Sequence, residues 1–371
     1  MEYSVRVHQH TDTMQQFTQL HRKHDVLSEP QLPFNTSHIV RPHSNALFHN
    51  GINSDEMISA CIYILSRTTR LDKLYNVLTQ LHNNYNARYQ YDLYIFQNDY
   101  TDTDYVNVYE HINRLQHSTQ STYKFSIERI EFTLPPHIND TDLLQHTHCP
   151  GTPLGTDWPI DYRHMCRWQS MLVQYEGVLL EYDYYMRLDD DSEITDTIPY
   201  DIFQFMYYYD IQYSYALIDL EHPQCDINLY EIAKQYQQQY LLPSTAGQHK
   251  PIDTGLYHYN LYSYDPSISH WPVHAIAYNN FEAGSFLFWR SIPVNNLLSY
   301  IDSAKGIYTH RWGDAPIRTI VATLLLNDDQ IHQFIDIPYQ HKNASTRQYH
   351  MNHDQSILTR YYNQLFEQMV C

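Results

Sequence analysis

The sequence predicts an α/β protein, a single domain with a mixed, mainly parallel central sheet flanked by helices. The first observation behind this is a strand–helix–strand succession near the start of the folded region. ISACIYILSR (Ile58 to Arg67) is a continuous apolar run too short for a helix, and it reads as a buried strand. LDKLYNVLTQLHNNY then places Leu71, Leu74, Val77, Leu78 and Leu81 at helical spacing. QYDLYIFQND (Gln90 to Asp99) is a second strand that ends in polar residues. A crossover of this length joins parallel strands. Ligands of such sheets sit outside the carboxyl ends of the strands, and Arg67, Asn98 and Asp99 lie at those ends. The second observation is that the pattern continues. KFSIERIEFTL extends the sheet, YYMRL runs as a strand into Asp189, and Ser214 to Leu220 is a further strand. APIRTIVATLLL (Ala315 to Leu326) is a helix.

Composition narrows the class. With 371 residues, 43% of them apolar, the chain can bury a substantial core, and it shows no internal repeat or second domain boundary. The net charge of −19 argues against a nucleic-acid partner, whose phosphates would be repelled. A small phosphorylated ligand remains compatible, because a metal ion or an arginine cluster inverts the local field. With 36 tyrosines and 24 histidines, no single Tyr or His carries much weight by itself. Cys61, Cys149, Cys166, Cys225 and Cys371 form no CxxC pair, which disfavours a zinc site and leaves the number of disulfides open. Asn35, Asn139 and Asn343 begin sequons at near-chance frequency.

No run approaches the ~18 apolar residues of a membrane span, and the N-terminus lacks a signal-peptide core. The expectation is a soluble chain or a catalytic segment without its anchor. Residues 1–45 are polar and aperiodic and read as a stem or poorly ordered arm, with the main domain at 46–371. Tyr162 to Tyr182 reads as one helix, and Pro243 to Tyr278 as an aromatic, loop-rich rim.

Five places could carry chemistry. In YYMRLDDD, Asp189 and Asp191 stand two positions apart at a strand end. Two hard oxygen ligands there can hold Mn2+ or Mg2+ against a diphosphate, the DxD device of nucleotide-sugar transferases. An Asp-rich turn is the alternative. Arg163 and Arg167 lie on one helix face and suit phosphate oxygens, though an ion pair with a nearby acid serves equally. Glu282, in NNFEAGSF, reads as part of a loop leading into a strand. Asp314, in HRWGDAP, precedes a helix and could simply cap it. His341, in DIPYQH, is a possible metal ligand among many histidines.

YRHMCRW, YYMRLDDD, NNFEAGSF, HRWGDAP and DIPYQH occur in the order and approximate spacing of one family. The chain resembles the fungal α-1,2-mannosyltransferases of glycosyltransferase family 15 over roughly Ser59 to His341. The resemblance implies a GT-A-like fold, GDP-mannose as donor, Mn2+ as cofactor and transfer to a mannosylated glycan with retention. It also implies a place in the Golgi lumen, reached through an anchor not visible in this chain. By position, Asp189 would bind the metal–diphosphate, Asp191 the donor and His341 the metal. Glu282 would be the nucleophile or an electrostatic stabiliser, and Asp314 a base or orienting group for the acceptor hydroxyl. Arg67, with Arg163 and Arg167, would face the donor.

Three departures qualify the match. The family's Glu-Pro-Asp is here Asp189-Asp190-Asp191, one methylene shorter and without the stiff proline. Its Cys-His-Phe-Trp-Ser is replaced by AIAYN (Ala275 to Asn279), and a cysteine beyond the last His is missing, as for a dropped disulfide. The segment before YRHMCR is poorly matched, which bears on the acceptor. A catalytically impaired relative that binds glycan or assists a complex is the rival expectation, and a transferase with altered donor or acceptor is another.

Overall fold

The computed structural model describes residues 58–143, 149, 159–222, 224–241, 275–342 and 344–346. The expected arm at 1–45 and most of the expected rim, residues 243–274, lie outside them. A seven-stranded sheet organises the described part, in the order β3-β2-β1-β4-β7-β6-β8. These strands are β1 (Ala60–Leu65), β2 (Asp92–Gln97), β3 (Phe125–Arg129), β4 (Tyr184–Asp189), β6 (Tyr213–Leu220), β7 (Ala275–Ser285) and β8 (Ile331–Gln333). β7 alone runs against the others, so the sheet is mixed and mainly parallel, as expected.

Side-chain alternation along the strands separates two cores. Cys61, Tyr63, Tyr94, Phe96 and Tyr185 face one layer, while Ile62, Ile64, Leu93, Ile95 and Met186 face the other. The second layer is covered by α1 (Leu71–Leu81), which buries Leu74, Val77, Leu78 and Leu81, and by α2 (Asp102–Thr119), which buries Val108 and Ile112. Thr101 and Asp104 close a capping box at the start of α2. The first layer is aromatic, and Trp168, Trp289 and Trp312 are its largest buried side chains. It is covered by α3 (Ile160–Arg167), α4 (Ile292–Ser303) and α5 (Asp314–Leu325).

Two sequence expectations need correction here. The helix expected over Tyr162 to Tyr182 is α3 followed by a wide turn at Trp168–Leu172 and two short 3-10 turns. Glu176, nearly fully buried, turns the backbone out of the helix and accepts a 2.6 Å hydrogen bond from Trp168 Nε1. Glu282 lies within β7, not in a loop before it.

A small second sheet brings the end of the described chain back to the first. β5 (Glu193–Ile194) pairs antiparallel with β9 (Tyr339–His341), which pairs with β10 (Ala344–Ser345). This pairing places His341 beside the turn that carries Asp190 and Asp191. A disulfide joins Cys149 to Cys225, while Cys61 and Cys166 are buried free thiols.

Candidate active site

The site is built at the carboxyl end of β4. Leu65 of β1 stands opposite Asp189 of β4, so the residues following both strands meet. Asp190 there accepts from Ser66 Oγ at 2.9 Å and Arg70 Nε at 2.6 Å. Burial pushes the Asp190 carboxyl up to about 6, against the pull of Arg70. Asp191 meets Arg70 Nη2 at 2.7 Å and Lys73 Nζ at 3.2 Å. Burial would raise the Asp191 carboxyl, but its contacts with Arg70, His341 and Lys73 hold it below the usual carboxylate value. The turn that lacks the family's proline is therefore pinned by an ion pair to the end of β1.

Arg187, nearly fully buried within β4, joins this edge to α5. Its Nη2 meets Asp189 Oδ1 at 3.0 Å, and its Nη1 meets Asp314 Oδ2 at 2.6 Å. Asn279 Nδ2 donates to the same Asp314 oxygen at 2.9 Å. Asn279 reaches it because β7 carries extra residues against β6. Tyr215 pairs with Glu282 and Leu217 with Tyr278, so three β7 residues span the place of one. Bulges of this kind re-aim side chains beside active sites.

Asp314 is the first residue of α5, with Gly313 at the cap position. The carboxylate is thus spent on Arg187 and Asn279 and not on capping. Burial would raise it, yet Arg187 and Asn279 hold it below the ordinary value. The loop before it is fixed by close packing. A Cβ on Gly306 would come within 2.1 Å of the Trp312 ring, and Arg311 adopts a left-handed backbone at φ 67°. Arg311 is held there by Glu221 at 3.0 Å and Tyr162 at 2.8 Å.

Glu282 stands opposite Arg187 across the β4–β7 pair but meets different partners. The hydroxyls of Tyr185 and Tyr213 each donate to it at 3.1 Å, and Arg318 Nε lies 3.0 Å away. Its exposure is 0%. Burial pushes this carboxyl up, opposed by Arg318 and Arg187. Arg318 in turn stacks on Trp289 at 3.6 Å, donates to the Gln169 carbonyl at 2.9 Å and meets the Tyr185 hydroxyl. Gly284 makes room for this arrangement, since a Cβ there would lie 2.6 Å from the Tyr185 hydroxyl.

His341 is buried against Tyr278, with Nδ1 3.7 Å from Asp191 Oδ1 and without a hydrogen-bond partner. Burial lowers its pKa despite the neighbouring aspartates, which favours the neutral imidazole a metal ligand requires. Among the described residues no three His, Cys, Asp or Glu side chains close into a metal-binding group. The donor set still suits a divalent cation, since Asp189 Oδ2 has no hydrogen bond among the described residues and His341 Nδ1 is an orphaned buried nitrogen.

Of the sequence candidates, Asp189, Asp191, Asp314 and His341 thus gather at one edge, with Glu282 beneath them. Arg67 is exposed at the end of β1. Arg163 and Arg167 are not brought there. Arg163 Nη1 donates to the Tyr308 carbonyl, and Arg167 forms a two-point pair with Asp302 at 3.0 and 2.9 Å. The ion-pair alternative describes Arg167. Sequence reasoning passed over Arg187, Arg318, Asn279, Arg70 and Lys73. The signal was available for the first two, because an arginine inside an apolar strand or helix must be paired.

The sheet order, the reversed β7 and the carboxylate-bearing edge define a GT-A-like glycosyltransferase fold. The chain belongs to the glycolipid 2-alpha-mannosyltransferase family, whose model matches residues 11–357. It is 28% identical over 289 residues to glycolipid 2-alpha-mannosyltransferase 1 of Candida albicans, covering 77% of this chain and 63% of that protein. It is 28% identical over 284 residues to alpha-1,2 mannosyltransferase KTR1 of Saccharomyces cerevisiae, covering 76% and 68%. The chain therefore spans less than two thirds of the first of these curated relatives. Among solved structures, core-mannan synthase A of Aspergillus fumigatus in its Mn/GDP form superposes with a TM-score of 0.65 at 22% identity, covering 80% of this chain and 78% of that one. The mannosyltransferase Ktr4p of S. cerevisiae in complex with GDP also gives 0.65 at 22% identity, with coverages of 78% and 72%.

Proposed function

We propose that the chain is a retaining α-1,2-mannosyltransferase that moves mannose from GDP-mannose to a mannose-terminated N- or O-linked glycan, with Mn2+ as its metal. The observation that supports this most is the convergence of Asp189, Asp191, Asp314 and His341 at one sheet edge in a chain of this family. The Mn/GDP form and the GDP complex of the solved relatives support the choice of metal and nucleotide.

Asp189 and His341 would hold the cation. When bound, such an ion neutralises charge that develops on the diphosphate as the donor bond breaks. Arg70 and Lys73, fixed by Asp190 and Asp191, add positive charge at the same edge, and exposed Arg67 is available to the nucleotide. Asp191 therefore serves the donor through the cations it positions. Asp314, held below the ordinary carboxylate value, is a weak base and a good acceptor of hydrogen bonds. Its role is to orient the acceptor hydroxyl. Glu282 has both oxygens engaged and acts electrostatically, through Arg318 and the two tyrosines, which favours the front-face route. On that route the acceptor proton leaves with the departing phosphate oxygen, on the face where the new bond forms.

The compartment follows from the family resemblance: the Golgi lumen. The Cys149–Cys225 disulfide supports an oxidising environment. Among the described residues no helix is long and apolar enough to cross a membrane.

Incubation with Mn2+, GDP-mannose and α-methyl mannoside tests the reading. A mannobiose and released GDP are expected. GDP binding without either product would overturn it and leave a glycan-binding or complex-assisting relative. Transfer from another nucleotide sugar, or only to a non-mannose acceptor, would reassign the substrates.

A further inference from the structure

Asn280 is a buried amide with nothing to do in the protein alone. Its exposure is 1%, and neither Oδ1 nor Nδ2 has a hydrogen-bond partner. Burying an amide without partners is costly, and such groups in folded proteins call for a specific explanation. The polar groups around it are already engaged. Asn279 donates to Asp314, and Ser192 Oγ donates to the Asn280 backbone carbonyl at 2.9 Å and meets the Tyr339 hydroxyl at 2.8 Å. The backbone is thus fastened while the side chain is left open.

Its place in β7 puts it beside the site. Arg187 pairs with Glu282 and Leu188 with Phe281 across the β4–β7 ladder. The ladder stops there, and Asn280 is the next residue of β7, beside the end of β4 that carries Asp189. It belongs to the bulged stretch that re-aims Asn279 toward Asp314. Asn280 therefore stands between Asn279, which holds Asp314, and Ser192, the residue after Asp191, next to the edge where the transferred group would be held.

We propose that Asn280 is a specificity-determining residue that hydrogen-bonds the hydroxyls of the transferred sugar. This rests on the transferase reading above. A primary amide offers two donors and an acceptor without charge. It matches hydroxyls that both give and take hydrogen bonds, and it contributes little to a diphosphate. A site built to pair with a substrate hydroxyl discriminates strongly, because its own polar atoms are otherwise left unpaired.

The test compares wild type with Asn280→Leu, a near-isostere without polar atoms, and with Asn280→Ala. Melting temperature is measured without ligand, affinities for GDP and for GDP-mannose by calorimetry with Mn2+, and transfer to α-methyl mannoside. We expect Asn280→Leu to melt at or above the wild-type temperature, since it removes an unsatisfied buried amide. GDP affinity should stay within about 2-fold, while the gain from adding the sugar and the transfer rate each fall about 10-fold or more. Two results would overturn the assignment. One is a lower melting temperature in both variants, which would mean the amide is satisfied in the protein alone. The other is an unchanged ratio of GDP-mannose to GDP affinity. A wild type that neither transfers mannose nor binds GDP-mannose would overturn the transferase reading first, and this role with it.

Discussion

Glu282 and Asp314 are both buried carboxylates on one face of the sheet, and each is paired with a buried arginine. Their circumstances are otherwise opposite. Glu282, at 0% exposure, has both oxygens engaged by Tyr185, Tyr213 and Arg318. Asp314, at 6%, spends one oxygen on Arg187 and Asn279 and connects through Arg187 to Asp189. The Asp189 side chain is 35% exposed. Burial moves Glu282 up, while its partners move Asp314 down. The same functional group therefore supports the fold at one place and stays ready for a ligand at the other. Saturation of hydrogen bonds, and not burial, separates the two.

The largest effect that would break this contrast concerns stability. Glu282→Gln leaves Arg318 buried without its counter-charge and should cost about 3–5 kcal/mol of unfolding free energy in a urea titration. Wild-type stability in that variant would mean that the pair is dispensable and that Glu282 is free to react.

A second effect supplies a pH control on the opposite face of the sheet from Glu282. His332 packs against Phe205 and Phe334, its Nε2 lacks a partner, and burial pushes its pKa down to about 4. The unfolded chain takes up a proton below about pH 6.5, while the folded chain resists until about pH 4. Stability should thus fall by about 3 kcal/mol as pH drops through that window. His332→Phe should flatten the loss, and an unchanged acid limb of the unfolding curve would place its origin elsewhere.

The smallest effect sharpens the picture of the open edge. Lys73 is 54% exposed where it meets Asp191. Lys73→Ala should change stability by less than about 1 kcal/mol. GDP affinity should fall by a few-fold, and more at low salt than at high salt. A large loss of stability would mean that the ion pair fastens the turn instead of presenting charge to a ligand.

Much of the frame was legible because it follows period and length. The β1–α1–β2 unit, the strand entering Asp189 and the helix α5 all announced themselves by apolar spacing. What escaped depended on contacts distant in sequence. Glu282 reads as a loop residue because NNFEAGS is polar and contains glycine. Its polar residues are instead accommodated by a bulge, two tyrosine hydroxyls and an arginine from α5. Arg163 and Arg167 share a helix face, but nothing local shows that Asp302 waits across from Arg167. Asp190 stands in the family's proline position, and its compensation is Arg70, 120 residues earlier. His341 gains its place only through the β5–β9 pairing.

The rate of mannose transfer by Asp189→Ala against wild type, under conditions where both are folded, tests the open edge most directly. We expect a loss of over about 100-fold in turnover with a melting temperature close to wild type, since Asp189 is half-exposed and serves charge stabilisation more than packing. Turnover near the wild-type rate would contradict the assignment of this edge as the transfer site.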